Sequence, residues 1–226
     1  MNICVIIPTF NESKAIGDLI KKTKALGIDI VVVDDGSKDG TSAIARSEGA
    51  HVITHLKNKG KGACLKIGFK YAIEKGYEAV VVMDGDGQHD PEDIQRFINA
   101  AQSTGADLIA GNRMENQSTM PFLRRITNRW MSRFLSGICG CDIPDTQCGF
   151  RLIRSKLLRD IDLISSKYET ESEILIRAGR QKFKIDSIPV KTIYKGEVSA
   201  IHPLKDTIRF IRLMLTLKHE QSTKKR

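Results

Sequence analysis

The chain has 226 residues, 41% hydrophobic and 28% charged, a composition that suits a globular protein large enough to bury a real core. No run approaches the ~18 uninterrupted apolar residues of a membrane span, and the apolar start at Ile3 to Ile7 lacks a basic leader region, so neither a bilayer crossing nor a secretory signal is expected. The net charge of +9 is unevenly placed: residues 1–110 hold 13 basic against 15 acidic side chains, residues 111–226 hold 23 against 12.

The first half alternates strands and helices at the spacing of βαβ units. Ile3 to Pro8 reads as a strand, and Glu12 to Leu26 as a helix through Ile16, Leu19, Ile20 and Leu26. A second strand, Ile28 to Val33, ends in Asp34-Asp35-Gly36-Ser37. Thr41 to Glu48 follows as a helix, His51 to His55 as a short strand, and Lys61 to Lys75 as a helix. Ala79 to Met83 is a β-branched run that suits a parallel strand covered on both faces. Asp90 as N-cap and Pro91 as first residue open a helix to Gln102, and Asp107 to Ala110 is one more strand. Such alternation implies a three-layer α/β fold with a mostly parallel sheet.

The second half is less regular. Arg113 to Pro121 is a polar loop, Leu123 to Ser136 a basic amphipathic helix, and Asp145 to Phe150 a turn-rich segment. Glu169 to Gly179 reads as a helix ended by glycine, Ile185 to Val190 and Thr192 to Tyr194 as strand-like segments, and Pro203 to Leu217 as a last helix before a frayed basic tail, Glu220 to Arg226. With no repeat and no linker, one domain is expected: a regular half (1–110), a less regular, basic half (111–202) and an amphipathic helix with its tail (203–226).

Chemistry concentrates at three strand ends. Pro8-Thr9-Phe10-Asn11-Glu12, Val33-Asp34-Asp35-Gly36-Ser37 and Asp84-Gly85-Asp86-Gly87-Gln88-His89 all follow parallel strands, where open α/β sheets bind ligands. Asp84 and Asp86 bring two hard oxygen donors to one point, which suits Mg²⁺ or Mn²⁺ shared with the phosphates of a nucleotide. Asp35 could accept hydrogen bonds from a base or ribose hydroxyls. A solvated Gly-Asp turn is the alternative for Asp84 to Gly87 taken alone. The five cysteines form no Cys-x-x-Cys pair, which favours free thiols in a reducing cytoplasm over a zinc site.

In combination these stretches, with Asn58-Lys59-Gly60-Lys61-Gly62, Gly111-Asn112-Arg113, Asp145-Thr146-Gln147-Cys148-Gly149-Phe150-Arg151 and Thr192-Ile193-Tyr194, resemble the family 2 glycosyltransferases of GT-A fold. Within them the chain is similar to the dolichyl-phosphate mannose and glucose synthase branch. The resemblance covers nearly the whole chain and makes 1–110 the nucleotide-sugar-binding half and 111–202 the acceptor half. It implies a nucleotide-sugar donor, a divalent cation and inversion at the anomeric carbon. By position it assigns Pro8, Phe10, Glu12, Val33 and Asp35 to the nucleoside pocket and Asp84, Asp86 and Gln88 to the cation. Gly85 would pass close to the donor, and Arg113 would reach the phosphates. The basic residues that close over the diphosphate depart from the family pattern, with Ala200 where lysine is common. Lys195, with Lys191 and His202, is the candidate for that role.

Arg124, Arg125 and Arg129 form the expected acceptor-phosphate site, together with Glu171, because guanidinium forks bind phosphate bidentately; a solvated basic helix is the alternative. A lipid phosphate is already anionic and needs no base, whereas a hydroxyl acceptor would need one from Asp145, Glu169 or Glu171. The alternative for Glu169, Glu171 and Glu173 is a solvated first helical turn. The last helix carries an apolar arc through Leu204, Ile208, Ile211 and Leu215 that fits either core packing or a membrane surface or partner. The expected activity is metal-dependent transfer of a hexose from a GDP-mannose- or UDP-glucose-type donor to a polyprenyl or dolichyl phosphate. The expected setting is the cytoplasmic membrane surface, with a membrane-protein partner possible and no nucleic acid. The alternatives are a hydroxyl acceptor on a glycan, glycolipid or small molecule, and a nucleotide-binding module without turnover.

Overall fold

The computed structural model describes residues 1–115, 122–191 and 203–224, with the backbone alone for 122–124, 203–207 and 221–224. Its elements are β1 (Ile3–Thr9), α1 (Ile16–Lys24), β2 (Asp29–Asp34), α2 (Thr41–Ser47), β3 (His51–Thr54), α3 (Lys61–Glu74), β4 (Ala79–Val82), α4 (Asp93–Thr104), β5 (Leu108–Asn112), α5 (Phe122–Cys139), β6 (Arg151–Arg154), α6 (Ser155–Asp160), α7 (Glu169–Arg180), β7 (Ile185–Pro189) and α8 (Pro203–Lys224). Among the described residues no helix is long and apolar enough to cross a membrane.

The seven strands form one sheet in the order β3-β2-β1-β4-β6-β5-β7. β1 pairs in parallel with both β2 and β4, while β6 runs antiparallel to its neighbours β4 and β5. Alternation along each strand sends side chains to two separate cores. Val5, Ile7, Val32 and Val81 pack with Ile16, Ile20 and Phe97 of α1 and α4. Cys4, Ile6, Val33 and Val80 pack with Leu65 and Phe69 of α3 and with Leu157 and Ile174 of α6 and α7. The three layers follow from strands apolar on both faces.

Several local expectations are corrected. The first helix starts at Ile16, because Asn11 adopts φ 59° and the Glu12 carbonyl closes a turn by accepting from the Ala15 and Ile16 N–H groups. Asp90 does not cap α4: its Oδ1 accepts the Glu92 N–H at 3.2 Å in a turn that precedes Asp93. Gly179 lies inside α7 rather than ending it. A Cβ there would meet the Cys139 Cα at 2.5 Å, so this glycine lets α5 and α7 approach closely. The expected frayed tail is helical to Lys224, with Glu220 paired to Arg177. β6 and α6 were not expected. Thr192 to Tyr194 lie outside the described residues.

Candidate active site

β1, β2 and β4 are parallel neighbours, so the segments after them open on one edge of the sheet. The strand order reverses between β1 and β4, which makes a crevice at their carboxyl ends. Phe10 is 45% exposed there, whereas Val33 is fully buried in the sheet. The Glu12 N–H donates to Thr41 Oγ1 at 2.9 Å, which ties the loop after β1 to the start of α2. Pro8 lies buried at the end of β1. A Cβ on Gly85 would sit 2.6 Å from Thr9 Cγ2, so only glycine lets the loop after β4 lie against β1.

Asp34 and Asp35 are internal. Asp34 accepts from the Ser37 N–H at 2.9 Å and from the Ser42 hydroxyl. Asp35 accepts the N–H groups of Lys59 at 2.8 Å and Gly60 at 2.6 Å, with His55 Nδ1 at 2.7 Å. Its carboxylate therefore holds the loop leading into α3 against the end of β2. His55 and Cys64 stand close enough to Asp35 to suggest a metal cluster among the described residues. The Asp35 oxygens are already engaged, however, and burial with the Asp35 charge pushes the Cys64 thiol up, away from the thiolate a metal needs. All five cysteines are unpaired.

The centre of the crevice is Asp84. Its Oδ1 lies 2.5 Å from Lys61 Nζ, and the same Nζ lies 2.5 Å from Glu171 Oε1 of α7. These side chains are 16% (Lys61), 27% (Asp84) and 13% (Glu171) exposed, so the ion triad is mostly shielded from water. Burial alone would raise the Asp84 carboxyl, but the Lys61 charge and the His89 interaction together outweigh it and hold the group well below the usual carboxylate range. Burial would likewise lower Lys61, yet Asp84 and Glu171 together push it up. Asp86 goes the other way: burial and the neighbouring Asp84 charge raise it, although its Oδ1 accepts the Gln88 N–H at 2.9 Å. His89 Nε2 stands 3.6 Å from Asp84 Oδ2, its ring tilted on Phe150. A Cβ on Gly149 would fall 2.6 Å from Asp84 Oδ2, so the segment before β6 closes on the carboxylate.

Sequence reasoning missed Lys61, though a signal was present. A lysine as the first residue of a helix opposes the positive end of the dipole, and α3 has no acid in its first turn to answer it. Such a cation needs partners from elsewhere in the fold. The solvated-turn alternative for the α7 carboxylates is also corrected. Glu173 is fully buried, accepting from the Ile164 and Ser165 N–H groups and from Arg177, and Glu171 faces Lys61.

Arg113 is buried and forked onto Asp145, Nε to Oδ2 at 2.7 Å and Nη2 to Oδ1 at 3.0 Å. Asp145 also accepts from Asn128 Nδ2 at 2.8 Å and from the Gln147 N–H at 3.1 Å. Burial would raise this carboxyl, but its hydrogen bonds from Arg113 and Asn128 hold it below the usual range. Arg151 staples the segment before its strand, with Nε donating to the Cys148 carbonyl, Nη2 to Thr146 and Nη1 to Glu171. On α5, Asn128 and Ser132 face this segment, whereas Arg129 and Arg133 are exposed and Arg125 is half-buried. The Arg124 side chain, Lys195 and His202 lie outside the described residues, and Lys191 is exposed with its N–H bonded to Asp93.

Three comparisons bear on this arrangement. The chain is 32% identical over 215 residues to the UDP-N-acetylglucosamine--dolichyl-phosphate N-acetylglucosaminyltransferase of Methanococcus voltae, covering 85% of this chain and 86% of that protein. It is 32% identical over 200 residues to the polyprenol monophosphomannose synthase of Mycolicibacterium smegmatis, covering 82% and 75%. The fold matches glucosyl-3-phosphoglycerate synthase from Mycobacterium tuberculosis, solved with Mn²⁺, UDP-glucose and phosphoglyceric acid, at a TM-score of 0.70 with 21% identity, over 87% of this chain and 73% of that one. Residues 4–162 match the model of glycosyl transferase family 2, and the chain belongs to that family.

Proposed function

We propose that the chain transfers a hexose from a nucleotide sugar to a polyprenyl or dolichyl phosphate, with inversion, at the surface of the membrane that holds the acceptor. The observation that carries the reading is the meeting of Asp84 and Asp86 with the ends of β1 and β2 in one crevice, closed by Glu171 and Gly149 from the second half. The names of the two relatives, both transferring sugars to polyprenyl-type lipids, support the acceptor class.

The donor set fits a divalent cation. Asp84, Asp86 and Gln88 offer hard oxygens, and burial with the neighbouring Asp84 charge raises the Asp86 carboxyl, a pair of adjacent carboxylates that a divalent cation would relieve. These three residues would hold Mg²⁺ or Mn²⁺, which would supply Lewis-acid stabilisation of the departing diphosphate. Pro8, Phe10, Glu12 and the Asp35-tethered loop line the nucleoside side of the crevice. Arg113, held by Asp145, is the residue that would reach the phosphates in this reading. Arg125 and Arg129, with Arg124, receive the acceptor phosphate on the same reading, and Lys195 is the candidate that the family pattern offers for the diphosphate.

Of the carboxylates that could act as a base, Asp145 is committed to Arg113 and Asn128, and Glu171 to Lys61. Two of the three candidate bases are thus occupied, which favours an acceptor already anionic over a hydroxyl. Glu169, whose Oε1 accepts the Lys167 N–H while its Oε2 is buried without a hydrogen-bond partner among the described residues, is the one left for a hydroxyl acceptor. The test is a panel of UDP- and GDP-sugars incubated with Mg²⁺ or Mn²⁺ and a polyprenyl phosphate, with products identified by mass. A glycosyl phosphoprenol is expected. Transfer to hydroxyl acceptors alone would overturn the reading.

A further inference from the structure

We infer that the outer faces of α5 and α8 form one platform that lies on an anionic bilayer. On α5, Ile126, Trp130 and Phe134 are 39%, 75% and 50% exposed at four-residue steps, which sets them in one stripe along the helix. On α8, Ile208, Ile211 and Leu215 are 52%, 52% and 64% exposed at helical spacing. Phe134 meets Phe210 edge-on at 6.1 Å between ring centroids, which joins the two helices. The packing needs of both are already met beneath this surface, where Leu135, Ile176, Leu213 and Leu217 form a buried cluster against α7. The exposed stripes are therefore surplus to the core, and two adjacent stripes exceed the scattered apolar exposure ordinary on a monomer.

Charge selects the occupant. Phe122 to Cys139 contains no acidic residue, and Arg129 and Arg133 are exposed beside the α5 stripe. Arg212 and Lys218 are exposed on α8, where the half-buried Glu220 pairs with Arg177. Against the acids Asp206 and Glu220, α8 carries Lys205, Arg209, Arg212, Lys218 and Lys224. Apolar side chains bordered by such an excess of cations match the acyl boundary and the anionic headgroups of a bilayer, and an exposed tryptophan suits the interfacial depth. The inference rests on the lipid-linked acceptor proposed above for its purpose, and on exposure and charge for its geometry.

Trp130 is the single tryptophan of the chain, so its emission reports this surface alone. The whole chain is titrated with unilamellar vesicles of phosphatidylcholine, with and without an equal share of phosphatidylglycerol. A blue shift with the anionic vesicles is expected, quenched by brominated acyl chains and weakened by salt. Ile211→Glu with Leu215→Glu keeps the probe and is expected to weaken vesicle affinity at least tenfold, while circular dichroism and transfer to a short, micelle-soluble prenyl phosphate persist. Unchanged Trp130 emission with anionic vesicles would overturn the inference, as would an equal, salt-insensitive shift with neutral vesicles. So would a shift that depends on protein concentration without lipid, the mark of a second copy. A vesicle response without transfer to any prenyl phosphate would overturn the proposed function and leave the platform standing; transfer without a response would do the reverse.

Discussion

Replacing Lys61 by methionine removes the cation that the partly shielded carboxylates of Asp84 and Glu171 share. The substitution keeps the length and most of the apolar stem, so the loss is electrostatic. Stripping one partner from a buried pair costs about 3–5 kcal/mol, and the partial exposure of Asp84 argues for the lower end. At about 3 kcal/mol a chain of this size should lose roughly 6–12 °C of Tm in calcium- and manganese-free buffer. The loss should shrink when a divalent ion is added, because the ion answers Asp84 in place of the ammonium. The gain in Tm on adding Mn²⁺ should therefore be larger in Lys61→Met than in the native chain, as read by differential scanning calorimetry. Glu171→Gln should act oppositely: it leaves the ammonium to Asp84 alone, so the Mn²⁺-induced gain should fall below that of the native chain. A metal-free shift under about 2 °C, or equal Mn²⁺ gains in all three proteins, would refute the reasoning.

Asp86→Asn should raise the metal-free Tm by a few degrees, since it relieves a raised carboxyl beside Asp84, and should abolish the Mn²⁺ gain in the same calorimetry. Arg113→Met should lower Tm by about 10 °C whether or not Mn²⁺ is present, because the orphaned charge is the buried Asp145 rather than Asp84. Gly149→Ala should cost at least tenfold in turnover and in Mn²⁺ affinity measured by electron paramagnetic resonance, with a Cβ 2.6 Å from Asp84 Oδ2. The depressed Asp145 carboxyl contributes stability that is present above the ordinary aspartate range and lost as pH falls through its folded value. Acid titration followed by circular dichroism should thus show a shallower loss below about pH 4 in Asp145→Asn than in the native chain.

The first half was legible because its strands are buried on both faces. Runs such as Val80 to Val82 announce themselves, and the carboxylates that follow stand at the strand tips where topology brings them together. β6 was not legible. Two of its four residues are arginines, and the burial of Arg151 makes sense only once the Thr146 and Cys148 carbonyls of the preceding turn and the Glu171 carbonyl of α7 converge on its guanidinium. Helix starts failed for a related reason, because loops after β1 and β4 take turns before the helix begins. The carboxylates of the α7 segment looked like a solvated turn, since nothing local reveals that a lysine 110 positions earlier reaches Glu171. Asp35 was legible as a residue of the crevice but not as the group that secures Lys59 and Gly60.

The antiparallel strand between β4 and β5 also has a consequence for how the chain acquires its activity. β4 gains its second neighbour only when residues 151–154 have been made, and the Asp145 to Phe150 segment that closes on Asp84 arrives with them. Contacts so distant in sequence form late and slowly. A nascent chain of the first 110 residues would hold all its strand-tip carboxylates yet present an open sheet edge and an uncovered Asp84. Catalytic competence should therefore appear in one step with the insertion of this strand, well after the parallel half has collapsed.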